Sequence, residues 1–144
     1  MSTEQNKAVV RRFIEEVLIG QNAALVDELL APDYVNHMVP GGREAFKQFF
    51  TVLSSAFPDL ELHYSVDHLI AEGDYVVARI TFHVANAGKE ATGSDLSEYR
   101  VVNGQIVEDW PPSSTAAGGH ATACQQGWRR TQRSPMNDMP PGIA

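Results

Sequence analysis

Apolar residues recur at Val10, Phe13, Ile14, Val17 and Leu18, a spacing that puts one apolar stripe along a helix near the start of the chain. Ser2 and Gln5 have the spacing of a capping box, Gly20 stands where a helix commonly ends in the left-handed conformation, and Asn22 is placed to cap a second, short helix. That helix carries Leu25, Val26, Leu29 and Leu30 on one face and ends at Pro32. A loop is expected through Asp33–Met38 to Pro40-Gly41-Gly42, before a third helical pattern at Ala45, Phe46, Phe49, Phe50, Leu53 and Phe57 that Pro58-Asp59 closes. From Leu60 the period changes to two. Leu60, Leu62, Tyr64 and Val66 alternate with Glu61, His63, Ser65 and Asp67, and a second strand alternates from Tyr75 to Val84 after the turn Glu72-Gly73-Asp74. After Asn86-Ala87-Gly88 a third strand spans roughly Ser94 to Val102, and Asn103-Gly104 favours a two-residue type I′ hairpin into a last strand ending at Trp110. Helices followed by a meander of strands make an α+β pattern, with the sheet wrapping the helices.

That last strand brings two acids, Glu108 and Asp109, next to an indole. If it lines a closed pocket, desolvation disfavours the charged form of the inward acid and makes it a proton donor or acceptor near neutral pH. A regular hairpin pairs Tyr99 with Glu108, Glu98 with Asp109 and Ser97 with Trp110. It then places Ser97, Tyr99, Val101, Ile106, Glu108 and Trp110 on the more apolar face and Asp109 on the other. A β-bulge would shift this register and turn Asp109 inward instead; the residues leave both arrangements open. The plain alternative is a solvated edge with Asp109 paired to Arg100, worth no more than about 1 kcal/mol.

Val10-Arg11-Arg12-Phe13, Pro32-Asp33-Tyr34-Val35-Asn36-His37, Gly42-Arg43-Glu44-Ala45-Phe46, Ala71-Glu72-Gly73-Asp74 and Asn103-Gly104-Gln105-Ile106-Val107-Glu108-Asp109-Trp110, in this order, resemble the SnoaL-like polyketide cyclase family of the wider NTF2-like superfamily. The resemblance implies an NTF2-like conical barrel: N-terminal helices packed on a curved antiparallel sheet that encloses an apolar cavity, commonly paired as a dimer through the sheet face. It implies that Asp109, immediately before the tryptophan, is the acid and base of an intramolecular aldol ring closure. The family's histidine, first-helix tyrosine and third-helix asparagine fall at Ser97, Val17 and Phe49, which makes the expected cavity more apolar. His37, in the loop before the third helix, falls where relatives point a histidine at the cavity mouth, and an imidazole takes up and returns a proton near neutral pH. Asp109 and His37 are thus the expected catalytic pair, and Val17, Tyr34, Phe49, Phe50, Ser97, Glu108 and Trp110 the expected substrate contacts. The bland readings remain: His37 as a loop histidine bonded to backbone, and the aromatic residues as core.

The chain of 144 residues suits one domain over residues 1–111. Residues 112–144 are rich in Pro, Gly, Ser and Arg without periodicity, and are expected to be flexible or, through Trp128 and Met136, to dock on a dimer partner. A net charge of -7 argues against nucleic acid as a partner. The single cysteine, Cys124, excludes an internal disulfide, and neither a leader nor a long apolar run is evident, so a soluble, cytoplasmic protein without a membrane partner is expected. His63, His68, His83 and His120 lack a metal-ligand spacing, Gly41-Gly42 and Gly118-Gly119 lack the setting of a phosphate cradle, and no Gly-x-Ser-x-Gly elbow occurs. The expected function is cofactor-free acid/base chemistry of the cyclase or isomerase type on a hydrophobic polycyclic or polyketide-like carbonyl compound. The alternative is a non-catalytic module binding a small hydrophobic molecule.

Overall fold

The computed structural model describes residues 1–111; the expectations for residues 112–144, including Cys124 and His120, lie outside them. The chain begins with α1 (Thr3–Arg12), capped by Ser2 and Gln5 in the reciprocal arrangement the sequence suggests. It runs on as a π-helical stretch, Phe13–Ile19, whose wider turn keeps Phe13, Ile14 and Val17 all buried. Gly20 is not left-handed: its φ is -73°, and the positive φ falls on Gln21 at 50°. Gly20 is small for another reason, since a Cβ there would lie 2.5 Å from the Glu16 carbonyl oxygen. The Asn22 side chain caps a 3₁₀ turn at Ala23–Leu25 that leads into α2 (Val26–Leu29).

Five strands follow: β1 (Leu30–Asn36), then, after α3 (Gly42–Ala56), β2 (Glu61–Glu72), β3 (Tyr75–Asn86), β4 (Lys89–Val102) and β5 (Gln105–Trp110). They form one curved, open sheet in the order β1-β5-β4-β3-β2. The segment expected as a loop is the edge strand β1, and because it runs parallel to β5 the sheet is mixed, not antiparallel. Leu30–Asn36 has no clean two-residue alternation, and its pairing slips between Leu30 and Val35, which is why periodicity missed it. Pro32, with no N–H to donate, fits an edge strand. The β4–β5 turn has φ of 50° at Asn103 and 79° at Gly104, the two positive values a type I′ turn needs.

The N-terminal helices pack on one face of the sheet, α1 over β2, β3 and β4 and α3 over β1. The core joins Val10, Phe13, Ile14 and Val17 of the first helix and Phe46 and Phe50 of α3 to Val76, Ala78, Ile80, Tyr99, Val101 and Ile106 of the sheet. Asn6, 1% exposed, ties α1 to the β2–β3 turn by donating from Nδ2 to the Gly73 carbonyl at 3.1 Å. Among the described residues no helix is long and apolar enough to cross a membrane.

Candidate active site

The decisive feature is an irregularity in the last hairpin. Val102 pairs with Gln105 and Val101 with Ile106, but Arg100 then pairs with Glu108 and Tyr99 with Asp109. Val107 is the extra residue, a β-bulge that moves the register by one. The regular pairing expected from sequence, Tyr99 with Glu108 and Glu98 with Asp109, is therefore replaced, and the two acids exchange faces. Asp109 turns to the helix-covered side and is 5% exposed, while Glu108 turns outward. Arg100 bonds Glu108, not Asp109, at 3.1 Å.

Asp109 Oδ2 accepts a hydrogen bond from the Tyr34 hydroxyl at 2.7 Å. Tyr34 is 2% exposed, on the inner face of β1, and its oxygen accepts from Asn36 Nδ2 at 3.2 Å. Asn36 is fixed in turn: its Oδ1 accepts from the backbone N–H groups of Met38 at 2.8 Å and Val39 at 2.7 Å, the turn that leads toward α3. The second carboxylate oxygen, Oδ1, is buried and has no hydrogen-bond partner. Such an atom is expensive to bury without a partner.

Burial in this apolar setting pushes the Asp109 carboxyl up to about 6, against the smaller downward pull of the Tyr34 hydrogen bond and of nearby His37. The Tyr34 hydroxyl is driven far above its ordinary value by burial, then by the charge of Asp109 and the bond to it, so it stays protonated and donates. Tyr99, directly across the strand pair from Asp109, is raised by burial and by the Asp109 charge, against the bond from Ser97. Two neutral phenols thus flank one tunable acid.

The remaining expected site residues divide between the two faces. Val17 (0% exposed), Phe50 and Ser97 lie in the interior, and Phe49 packs against it part-buried. His37 lies outside with Glu108 and Trp110: its Nε2 is 3.1 Å from Glu108 Oε2, and its ring stacks on the Trp110 indole at 4.7 Å between centroids and 7° between planes. Its ring thus meets β5 on either side of the acid, and only its backbone meets Asp109 itself, where the His37 N–H donates to the Asp109 carbonyl at 3.1 Å. The group bonded to the Asp109 carboxylate is Tyr34. Sequence reasoning gave no role to Asn36 or Tyr99; the signal for Asn36 was its position two residues after Tyr34, and for Tyr99 the alternation with Ser97. Among the described residues no three His, Cys, Asp or Glu side chains are grouped to hold a metal ion.

Solved structures of other proteins share this fold. IdmH from Streptomyces antibioticus, a candidate polyketide cyclase, is 23% identical with a TM-score of 0.63, over 74% of this chain and 89% of its own. TsrD from Streptomyces laurentii is 21% identical with a TM-score of 0.62, over 76% and 88%. An LEH-like epoxide hydrolase from M. tuberculosis is 16% identical with a TM-score of 0.60, over 74% and 80%. No curated protein matches the sequence. The family model for SnoaL-like polyketide cyclases matches residues 8–113, most of the chain, and the protein therefore belongs to the SnoaL-like polyketide cyclase family, with the NTF2-like α+β architecture of its structural neighbours.

Proposed function

We propose that the protein is a cytoplasmic, cofactor-independent enzyme that closes or isomerises a ring in a hydrophobic polycyclic or polyketide-like carbonyl compound. The observation that carries this reading is Asp109: a carboxyl 5% exposed, with one oxygen oriented by Tyr34, the other without a partner, and a pKa of about 6. At that value the group is partly protonated near neutral pH, the condition for taking and returning a proton in one cycle. Asp109 Oδ1 removes a proton from the carbon next to the substrate carbonyl, while the Tyr99 hydroxyl, opposite in register, donates to the enolate oxygen. The enolate carbon attacks a second carbonyl of the same molecule, forming the carbon–carbon bond, and Asp109 returns its proton to the new alkoxide. Tyr34, bonded to both Asn36 and Asp109, orients the acid. His37, on Glu108 and Trp110, adds a positive charge near the site when protonated and holds the end of β5.

The test is a pH–rate profile with linear polyketide-like poly-ketones and unsaturated ring ketones as probes. Turnover should show an inflection near pH 6, set by Asp109; turnover without that inflection assigns the proton to another group. A second reading, a non-catalytic binding module, is favoured by Val17 and Phe49 standing at two positions where the resemblance implies polar groups. Saturable binding of the same probes with no turnover at any pH would select it.

We further propose a homodimer through the outer sheet face. Ile70 at 63%, Leu96 at 60% and Tyr75 at 45% exposure support it, because apolar side chains this open gain from burial between two copies. Leu96→Lys is expected to convert a dimer to a monomer in light scattering; an unchanged mass would exclude this face.

A further inference from the structure

We propose that Asp95 is a second recognition point of the same site, reading a hydroxyl at the end of a fused-ring ketone remote from the carbonyl that Asp109 acts on. The inference rests on the proposed function and names its substrate class more closely. It follows from the register of β4. Tyr99 lies opposite Asp109, Ser97 opposite Ala78 and Asp95 opposite Ile80, so all three project to the face that Ser97 and Tyr99 bury. Beyond Asp95 comes Gly93, and there the face is closed: a Cβ on Gly93 would meet the Phe82 ring at 2.7 Å.

Asp95 is thus the last polar side chain on this stripe before an aromatic wall. It is part-buried beside Ile80 and has no hydrogen bond or ion pair among the described residues. Burial alone raises its pKa, in keeping with a carboxylate whose solvation has been reduced without a replacement donor. It stands four positions before Tyr99, about 13 Å along the strand. That span suits a flat ring skeleton lying along β4, its reacting carbonyl between Tyr99 and Asp109 and a polar group at its far end. A hydroxyl suits Asp95 better than an ammonium, because a neutral donor loses less solvation on entering an apolar site.

Calorimetric titration with testosterone and with androst-4-en-3-one, which lacks the remote hydroxyl, tests this on the full chain, Asp95→Ala, Asp95→Asn and Asp109→Asn. The wild type should bind the hydroxyketone about tenfold more tightly than the deoxy compound, as for a hydrogen bond to a charged acceptor. Asp95→Ala should erase that preference with the deoxy affinity unchanged, Asp95→Asn should keep part of it, and Asp109→Asn should leave it intact. A thermal midpoint of Asp95→Ala at or above that of the wild type shows that the variant is folded. A preference that survives Asp95→Ala, or none in the wild type, overturns the inference and leaves the proposed function standing. Failure of both probes to bind overturns the inference, while the proposed function is decided by the poly-ketone probes. An Asp95-dependent preference without turnover in the wild type supports the inference and removes only the catalytic reading.

Discussion

Asp109→Asn is expected to lower turnover of any substrate by about 10²- to 10⁴-fold, the usual contribution of one acid/base group, while the protein stays folded. Its stability should also change in a pH-dependent way that identifies the mechanism. The folded-state pKa is about 6 against an ordinary 3.8, so between those values the folded state holds a proton that the unfolded chain has released. Wild-type stability therefore falls as pH rises through this window. The ionised group destabilises fully above it and not at all below it. The size is about 3 kcal/mol, from roughly two pKa units, as an order of magnitude. Asn removes the titration, although its amide leaves a donor where Oδ1 had no partner, which offsets part of the gain. Urea midpoints for the variant minus the wild type should thus become more positive from pH 4 to pH 7. A difference that stays flat would mean that Asp109 does not titrate in this range.

Tyr34→Phe acts on the same carboxyl from the opposite direction. Its hydroxyl holds the carboxylate down by donating at 2.7 Å, so its loss should move the Asp109 pKa above about 6 and shift the pH–rate inflection upward. Each unit of that shift cuts the ionised fraction tenfold at lower pH. The same change leaves Asn36 Nδ2 without its acceptor and the carboxylate without its donor, for an expected loss of about 1–3 kcal/mol. That loss should be larger at pH 8 than at pH 5, because a raised folded-state pKa makes stability fall further as pH rises. An inflection that remains near 6 would remove Tyr34 from the tuning of the acid.

Much of this architecture is written in local patterns. Three helices, the β2–β3–β4 meander and the Asn103-Gly104 hairpin follow from period and turn chemistry, since each depends on residues close together in the chain. Two features that make the site do not. The bulge at Val107 lies where β5 meets both β4 and β1, and a run such as Gln-Ile-Val-Glu-Asp-Trp alternates no differently with or without it. The resemblance favoured Asp109 and strand geometry favoured Glu108; the extra residue reconciles them. Strand β1 was hidden because an irregular edge strand containing Pro32 has no two-residue pattern, so Tyr34 was expected as a substrate contact, with no sign that it bonds the acid. The outward placement of His37 likewise depends on β1 ending beside Trp110, a long-range event without local signature.

β1 borders the sheet and is paired on one side only, to β5, so the strand that supplies Tyr34 is one of the two edges of the sheet. Acid strength at Asp109 is consequently not a fixed property of its surroundings. Were this border strand to part from β5, water would replace both the shielding and the hydroxyl, and because the shielding is the larger influence the carboxyl would return toward its ordinary strength. A molecule pressing β1 home would keep the proton on this acid without ever touching it.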